Sequence, residues 1–350
     1  MNILYAVCGE GMGHAIRNSV IIDHLKRRHD IMIVSSDRTY AYLSDKYGNV
    51  YNIGGFNIIY KNNEVKNTQT FLKAVRRLPR DLKHNMKVLR RIVKEFRPNI
   101  AISDFEPYSN YIAKIMRIPL ISIDNQHIIN KCRIKVSKKY ASSKLAARSV
   151  IRTFITRPKK YLITTFFYPE VKNKRRTLLF PPVLRNEILE AKPKIRDYIL
   201  VYQTSRSYEK LVPLLRTISE KFIIYGLNKE EQNRNLIFKK FNEDIFLKEL
   251  ASCKAVITNG GFTLISEALY LKKPILSVPV RKQFEQILNA IYLDEMGYGD
   301  FCDDLDKETV ENFLSRLHIY RRNLESYKRE DNSRILKEID NLIKEHSKKY

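Results

Sequence analysis

Short apolar runs rich in isoleucine and valine recur along this chain, and a longer amphipathic segment follows most of them. The runs predict buried strands, and the amphipathic segments predict helices that cover those strands. Strands that alternate with helices at this spacing form βαβ units and a parallel sheet, so the α/β class is expected. The first series of predicted strands is residues 3–7, 31–35, 100–103 and 120–123, and the second is residues 198–202, 222–225, 255–258 and 274–278.

A proline-rich segment separates the two series. Its three prolines interrupt both a helix and a strand ladder, so we expect a linker over residues 181–196. The length of 350 residues also favours two domains, because a single core seldom extends much beyond about 250 residues. We expect two doubly wound, Rossmann-like domains, residues 1–180 and 197–350, which face a ligand cleft. The last helix is a candidate to cross back onto the N-terminal domain.

The excess of positive charge points to an anionic partner. The chain has 64 Lys and Arg against 38 Asp and Glu, a formal net charge of +26. Residues 51–200 account for most of it, with 33 Lys and Arg against 10 Asp and Glu, and residues 131–160 contain no acid at all. Such a run is often a solvated helix face, but an excess this concentrated favours a surface for nucleic acid, an acidic membrane or phosphorylated molecules.

The sequence also bears on the cellular compartment. No run approaches the roughly 18 apolar residues of a membrane-spanning helix, and the first apolar run ends too early, at a glycine cluster, for a signal peptide. Cys8, Cys132, Cys253 and Cys302 lie far apart, which fits neither a disulfide framework nor a zinc site and indicates a reducing cytosol. We expect a cytoplasmic location, with peripheral association to the inner face of the cell membrane as an option.

A glycine-rich turn follows the first predicted strand. Gly9, Gly11 and Gly13 precede His14 and Arg17, and glycine lets a backbone turn approach a ligand closely. The amides at the start of the next helix attract an anion. A dinucleotide-binding fingerprint is the competing interpretation, but the third glycine falls one position too early for NAD. His14 can reach a bound hydroxyl from the mouth of this turn, although a lone histidine is more often structural.

The segment after residue 258 has the most specific pattern in the chain. Gly260 and Gly261 end a predicted strand, and the next helix offers the amides of Phe262 and Thr263 to a diphosphate. Glu267 lies one turn further along that helix, where its carboxylate could accept both hydroxyls of a ribose. Taken alone, each of these residues is explained equally well as an N-cap, a surface acid or a residue at the edge of the core.

Together with two later segments, this pattern resembles a known site. The order G-G-F-T-L-I-S-E-A, K-P-I-L-S-V-P and E-Q-I-L-N-A is similar to the nucleotide-sugar site of GT-B glycosyltransferases. The resemblance is greatest to the branch that contains the peptidoglycan N-acetylglucosaminyltransferase MurG, the galactolipid synthases and the UDP-glycosyltransferases. It extends to the glycine turn with His14 and to the strand ends near Asp104 and His127, but not to residues 40–95 and 130–180.

The resemblance implies roles for individual positions of this chain. The donor would be a nucleotide diphosphate sugar, UDP-linked and in one version a UDP-N-acetylhexosamine, and no cofactor besides this substrate is implied. Many relatives have Asp-Gln or Gln-Gln where this chain has Glu-Gln, which leaves the sugar open. The implied contacts are Gly260, Gly261, Phe262 and Thr263 with the diphosphate, Thr204 and Ser205 with the phosphates, Glu267 with the ribose, Phe246 and Leu247 with the base, and Glu285 and Gln286 with the sugar.

The resemblance also implies a mechanism. His14 is the candidate base that deprotonates the acceptor hydroxyl, and Asp104 and Glu106 are rivals or orienting partners. The alternative for both acids is N-capping of the helix ahead of Pro107. Inverting transfer by a hexosyl- or N-acetylhexosaminyltransferase is expected on family grounds. Residues of the acceptor or phosphate loop would be Gly9, Gly11, Gly13, Arg17 and His127.

Other interpretations remain open from the sequence. Asp304 and Asp306 superficially match a metal-binding D-x-D, but they suit the first turn of a helix, so no metal is expected. A nucleotide-sugar 2-epimerase shares the two-domain fold. A nucleic-acid-binding protein would account for the charge, yet the chain lacks the aromatic-interleaved basic motifs of the common modules. The expected partners are therefore the donor, an anionic or lipid-linked acceptor and an anionic membrane surface, rather than nucleic acid.

Overall fold

The N-terminal half is built around a parallel sheet. The computed structural model describes residues 1–9, 11–55, 60–61, 64–65, 83–203 and 210–347. Among these residues, seven strands form the first sheet in the order β3-β2-β1-β6-β7-β8-β9, and β4 and β5 form a separate antiparallel pair. The strands are β1 (Asn2–Val7), β2 (Asp30–Ser35), β3 (Val50–Asn52), β4 (Tyr60–Lys61), β5 (Glu64–Val65), β6 (Ile100–Asp104), β7 (Leu120–Asp124), β8 (Lys160–Thr164) and β9 (Thr177–Phe180).

The C-terminal half repeats this plan. Within the described residues, its seven strands have the order β12-β13-β11-β10-β14-β15-β16, and only β12 runs antiparallel to its neighbour. The strands are β10 (Ile199–Tyr202), β11 (Phe222–Tyr225), β12 (Glu231–Asn233), β13 (Leu236–Phe238), β14 (Ala255–Thr258), β15 (Ile275–Ser277) and β16 (Gly299–Phe301).

Helices cover both faces of each sheet, which is why the central strands are continuous apolar runs rather than alternating ones. All five residues of β6 and of β7 are buried. The helices are α1 (Met12–Leu25), α2 (Asp37–Lys46), α3 (residues 83–96), α4 (Pro107–Ile115), α5 (Ile128–Lys131), α6 (Ala141–Phe154), α7 (Asn186–Leu189), α8 (Leu211–Arg216), α9 (Glu243–Ser252), α10 (Phe262–Tyr270), α11 (Phe284–Glu295), α12 (Lys307–Ser315), α13 (Leu317–Glu325) and α14 (Ser333–Ser347).

The two halves meet at the carboxyl ends of their central strands. The Thr263 hydroxyl at the start of α10 donates to the carbonyl oxygen of Gly13, at the start of α1, over 3.3 Å. The ring of Phe167 stacks on that of Tyr292 with centroids 3.9 Å apart. These contacts bring the two glycine-rich turns together, so any ligand held between the halves lies against both.

The last helix, α14, packs on the first sheet rather than on the second. Ile335, Ile339, Leu342 and Ile343 are buried in the same apolar cluster as Ile3 of β1. The amide side chain of Asn332, just before α14, exchanges two hydrogen bonds with the backbone of Leu184, at 2.9 Å and 2.7 Å. The chain therefore crosses between the two halves a second time. The first crossing, through residues 181–198, contains the short helix α7.

This packing predicts that α14 stabilises the N-terminal half. Ile339→Ala should lower the free energy of unfolding by about 2–5 kcal/mol, because it removes a fully buried side chain and leaves a cavity. Urea unfolding followed by circular dichroism measures this change. Lys337→Ala, at an exposed position of the same helix, should change the value by less than about 0.5 kcal/mol. Equal effects of the two variants would contradict the docking of α14.

Candidate functional site

The site begins at His14, in the first turn of α1. Gly9 follows β1, and Gly11 is the N-cap of α1 with a positive φ of 91°, which favours glycine. A Cβ on Gly13 would come within 2.5 Å of the Thr263 hydroxyl oxygen, so the close approach of the two turns requires glycine there. The imidazole Nδ1 of His14 lies 2.9 Å from an oxygen of Asp104.

Asp104 is placed by the strand register. It pairs with Val7 across β1 and β6, so both strands end beside the glycine turn. Its buried carboxylate also accepts hydrogen bonds from the guanidinium of Arg17 at 2.5 Å and 3.0 Å, and from the side-chain amide of Asn18. Burial alone would raise the pKa of the Asp104 carboxyl, but the positive charge of Arg17 and the contact with His14 hold this pKa well below its usual range.

An ionised Asp104 orients His14 and does not act as a base itself. A carboxylate at Nδ1 favours the tautomer with the proton on that atom, which leaves Nε2 free to accept a proton. The Arg17 guanidinium also lies 2.8 Å from Nδ1, and as a pure donor it favours the opposite tautomer. The side-chain amide nitrogen of Gln126 lies 3.3 Å from Nε2, which suits Nε2 as the acceptor.

Asn125 connects this cluster to the C-terminal half. Its side-chain oxygen accepts a hydrogen bond from Arg17 over 2.7 Å, and its nitrogen donates to Glu285 over 2.8 Å. Glu285 lies in the first turn of α11. A chain of polar contacts therefore runs from the carboxylate expected at the donor sugar to the imidazole expected to act as the base. The sequence pattern assigned no role to Asn125.

Two of the predicted residues of the N-terminal half have structural roles instead. Both oxygens of Glu106 accept backbone amides of α4, from Tyr108 at 2.9 Å and Ser109 at 2.6 Å, so Glu106 is the N-cap and is not a rival base. The imidazole of His127 is buried, binds Asp124 through Nδ1 at 2.7 Å and lies against the ring of Tyr161. It therefore does not line an acceptor loop. In both cases a group close in sequence binds the side chain.

The second glycine turn matches its predicted position at the start of α10. Gly260 follows β14, and a Cβ there would clash with the Gln286 backbone at 2.3 Å. Gly261 is the N-cap, and within the described part of the chain no side chain caps this helix start. The backbone amides of Phe262 and Thr263 are thus placed for an anion, whereas the side chain of Phe262 is buried.

Glu267 is held by an ion pair in the structure. Its carboxylate is buried and both oxygens are held by Arg185, at 2.7 Å and 3.0 Å. Arg185 precedes α7 and also binds Glu243 over 2.5 Å. Burial raises the pKa of Glu267 more than Arg185 lowers it. In this arrangement both carboxylate oxygens are engaged by Arg185, a residue to which the sequence pattern assigns no role.

The predicted contacts with the base also need correction. Phe246 and Leu247 are buried inside α9, and the backbone amide of Phe246 already donates to Asn242 over 2.9 Å, so this backbone is not free to clamp a base. The exposed ring of Phe241, just before α9, packs edge-on against Tyr202 at the end of β10 and is the better platform. Thr204 and Ser205 lie outside the described residues.

The remaining predicted polar residues bind neighbouring groups of the protein. The Gln286 side-chain oxygen accepts the backbone amide of Val280 over 2.9 Å, which shapes the loop before α11. Asp306 is the N-cap of α12 and accepts the amide of Thr309 over 2.8 Å, while Asp304 pairs with Arg281. Across the described residues, no group of three or more His, Cys, Asp or Glu side chains is arranged to hold a metal ion.

Comparisons with known proteins agree with this geometry. A family model described as glycosyl transferase family 1 matches residues 1–318. An uncharacterised glycosyltransferase of Methanosarcina mazei is 24% identical over 337 residues, which covers 85% of each chain. A UDP-N-acetylglucosamine–N-acetylmuramyl-(pentapeptide) pyrophosphoryl-undecaprenol N-acetylglucosamine transferase of Bacillus cereus is 31% identical over 100 residues, 26% of this chain and 28% of that protein.

A solved structure shows the same architecture. The crystal structure of Acinetobacter baumannii MurG superposes with a TM-score of 0.59 at 14% identity, over 97% of this chain and 99% of that one. This likeness confirms the expected fold, with two Rossmann-like domains that face a cleft.

The buried pair between Arg17 and Asp104 generates a prediction about stability and pH. Asp104→Asn should lower the free energy of unfolding at pH 7 by about 3–5 kcal/mol, because it leaves a buried guanidinium without its counter-charge. The folded pKa of Asp104 is lowered, so its stabilising effect is present above about pH 4, the ordinary range of a free carboxyl, and declines below it.

The difference in unfolding free energy between wild type and Asp104→Asn should therefore narrow as the pH falls from 7 towards about 3. Urea titrations at several pH values measure this difference. Asp45→Asn, on the exposed side of α2, is the matched control and should differ little from wild type at any pH. A gap that stays constant down to acid pH would refute the ionised state of Asp104.

Proposed function

Because the chain belongs to glycosyl transferase family 1, we propose that it transfers a sugar from a nucleotide diphosphate sugar to an acceptor hydroxyl, with His14 as the general base. The observation that carries this proposal is the placement of His14. Its Nδ1 faces Asp104, and Gly13, the residue before it, accepts a hydrogen bond from Thr263 of the C-terminal half. A base at this junction lies between the expected acceptor side and the expected donor side.

The proposed reaction is a single displacement. The acceptor hydroxyl gives its proton to Nε2 of His14, and its oxygen attacks the anomeric carbon as the bond from that carbon to the diphosphate oxygen breaks. The ionised Asp104 stabilises the imidazolium that forms. A positioned base of this kind contributes about 10²–10⁴-fold to the rate. In-line attack inverts the configuration at the anomeric carbon, so we propose an inverting transferase.

The leaving diphosphate takes up the electron pair of the broken bond. We propose that the backbone amides of Phe262 and Thr263 bind it at the start of α10, where the helix dipole stabilises negative charge by about 0.3–2 kcal/mol per contact. Arg185, just before α7, contacts the same helix through its pair with Glu267. Binding of a ribose to Glu267 would require Arg185 to give up one of its contacts.

The name of one relative supports a proposal for the donor and the acceptor. The name of the Bacillus cereus relative specifies UDP-N-acetylglucosamine as donor and a pyrophosphoryl-undecaprenol acceptor. We therefore propose a UDP-linked sugar, with UDP-N-acetylhexosamine as the first candidate, and a lipid-linked or phosphorylated acceptor. Phe241 and Tyr202 supply aromatic faces on which a uracil can stack. The same geometry without an acceptor would suit epimerisation, which the donor assay below distinguishes.

An exposed surface on the N-terminal half supports a lipid-linked acceptor. Ile115 and Leu145 are 57% and 66% exposed on α4 and α6, and Met116 and Val150 extend the apolar area. Lys144, Arg148 and Arg152 lie on the same helix, α6. Apolar side chains among cations suit an anionic membrane, to which each basic residue contributes about 1 kcal/mol. No helix of the described chain is both long and apolar enough to span a membrane.

We therefore propose that the protein works at the inner face of the cell membrane as a peripheral cytoplasmic enzyme. In this proposal the apolar surface of α4 and α6, here defined by Ile115, Met116, Leu145 and Val150, rests on lipid. The cations of α6 then face the acidic membrane, and the donor enters the cleft from the cytosol.

Donor binding and transfer give the first prediction for this function. UDP and UDP-N-acetylglucosamine should raise the melting temperature of the wild type, because a ligand that binds only the folded state stabilises it. His14→Asn should keep this shift but lose about 10²-fold or more of transfer to a lipid pyrophosphate acceptor, measured with radiolabelled donor. Glu285→Gln should reduce the rise in melting temperature caused by UDP-N-acetylglucosamine more than the rise caused by UDP.

The controls separate the alternatives. His24→Asn, a histidine on the far end of α1 paired with Asp340, should change neither binding nor transfer. Indifference of the wild type to every nucleotide and sugar nucleotide would end the transferase proposal. Conversion of the donor to its 2-epimer in the absence of acceptor would indicate an epimerase instead of a transferase. A transfer product of retained configuration would refute the inverting mechanism.

Membrane association gives a second prediction. The protein should float with vesicles that contain phosphatidylglycerol at low salt, and the bound fraction should fall as the salt concentration rises, because salt screens the attraction. Leu145→Ser combined with Val150→Ser should reduce flotation without changing the net charge. Ile195→Ser, at a residue that is also 66% exposed but lies in the linker, should leave it unchanged. Equal flotation of all three proteins would contradict the proposed surface.

A further inference from the structure

A cavity of about 520 Å³ lies outside the reaction cleft. It opens where β7 and β8 begin, next to Leu120 and Lys159, whereas the cleft lies where these strands end. Five residues of extended strand span roughly 15 Å, so the two sites are a full strand length apart. We call it the rear cavity. Its volume is within the range of small-molecule sites.

Four cations line the rear cavity. Lys114 and Arg117 come from α4 and the turn after it, and Arg157 and Lys159 come from the loop before β8. No carboxylate is among its lining residues in the described chain, and none of the four side chains forms an ion pair with another described residue. Lys254, by contrast, pairs with Asp197 and Glu220.

Four like charges around one concave space repel one another, although water screens part of this repulsion because all four side chains are exposed. A bound anion offsets it. Two guanidinium groups favour phosphate in particular, because their planar donors match two of its oxygens at once. The electrostatics of the rear cavity therefore select a phosphate group.

The walls of the rear cavity are fixed and partly apolar. The Asn110 side chain accepts the backbone amide of Thr156 over 3.2 Å and donates to the Thr156 hydroxyl over 3.4 Å, which ties α4 to the loop before β8. Ala113 and Leu120 are buried residues that line its inner part. An apolar inner wall beneath a cationic rim suits an organic body attached to the phosphate, rather than the inorganic ion alone.

The face of α4 beside the cavity indicates what kind of molecule the phosphate is attached to. Asn110, Lys114 and Arg117 follow one another at helical spacing along the cavity side. Tyr111 and Ile115 lie one position further on and are exposed, as is Met116. The cavity thus opens beside an apolar strip on the same helix. A phosphate carried by a lipid would occupy the cavity while its chains lie along that strip.

We propose that the rear cavity binds the phosphate of a phospholipid headgroup, as a site separate from the donor and acceptor sites of the cleft. The apolar surface of α4 and α6 provides general attraction to a membrane, and the rear cavity selects lipids by their phosphate. Neither step involves His14 or the glycine turns.

The first arm of the test uses a soluble probe. Isothermal titration with sn-glycerol 3-phosphate should show one saturable site in the full-length protein, and glycerol should show none. Arg117→Gln combined with Arg157→Gln should weaken this binding by about tenfold or more, the effect of losing one or two hydrogen bonds to a charged group. Arg27→Gln combined with Arg90→Gln removes the same charge from exposed positions that do not line the cavity and should leave binding unchanged.

The second arm uses vesicles and identifies the carrier. Flotation with phosphatidylglycerol vesicles should fall more for the cavity double variant than for the matched control. If the cavity double variant loses binding of sn-glycerol 3-phosphate but floats as well as the wild type, the proposal that a lipid carries the phosphate is overturned. The cavity would then be a site for a soluble phosphate compound. No binding of the probe by wild type, or equal loss in both double variants, would overturn the phosphate site itself. Both double variants should keep the rise in melting temperature that UDP causes. The result for the rear cavity therefore does not depend on whether the transferase proposal is correct.

Discussion

The buried ion pair between Arg17 and Asp104 is the interaction on which the site depends. The parallel register of β1 and β6 sets Asp104 beside Val7, and the second turn of α1 brings Arg17 back over it. A buried pair is stable only when its remaining hydrogen-bonding capacity is used, and here His14, Asn18 and Asn125 use it. The orientation of the imidazole and the bridge to Glu285 both depend on this charged contact.

The same contact couples the two halves. Asn125 binds Arg17 on one side and Glu285 on the other, so a change in the separation of the halves changes what the guanidinium contacts. Asn125 accepts from Nη1 of Arg17, whereas Nη2 is the guanidinium nitrogen that lies beside His14, so the two contacts use different donors. His14 and Glu285 of the other half therefore belong to one hydrogen-bonded chain that runs through Arg17 and Asn125.

The sequence could predict those features that depend on local pattern. The central strands and both glycine turns were predicted because continuous β-branched runs and helix-start glycines have few alternative structures. The failures concern partners distant in sequence. Nothing local to Glu267 indicates that Arg185, 82 positions earlier, will hold both of its oxygens. Glu106 and His127 resemble site residues in the sequence, but Glu106 binds the backbone amides of α4 and His127 binds Asp124. The Pro-rich linker was predicted without its short helix, and the pairing of Asn125 depends on the approach of two domains.

The return of α14 to the first sheet affects how the protein is made. Ile335, Ile339, Leu342 and Ile343 complete a core that begins with Ile3, so the N-terminal domain cannot close its apolar cluster while these residues are still inside the ribosome. The usual order, in which an N-terminal domain folds first during synthesis, is therefore interrupted here. The apolar cluster around Ile3 therefore stays incomplete until α14 has been synthesised.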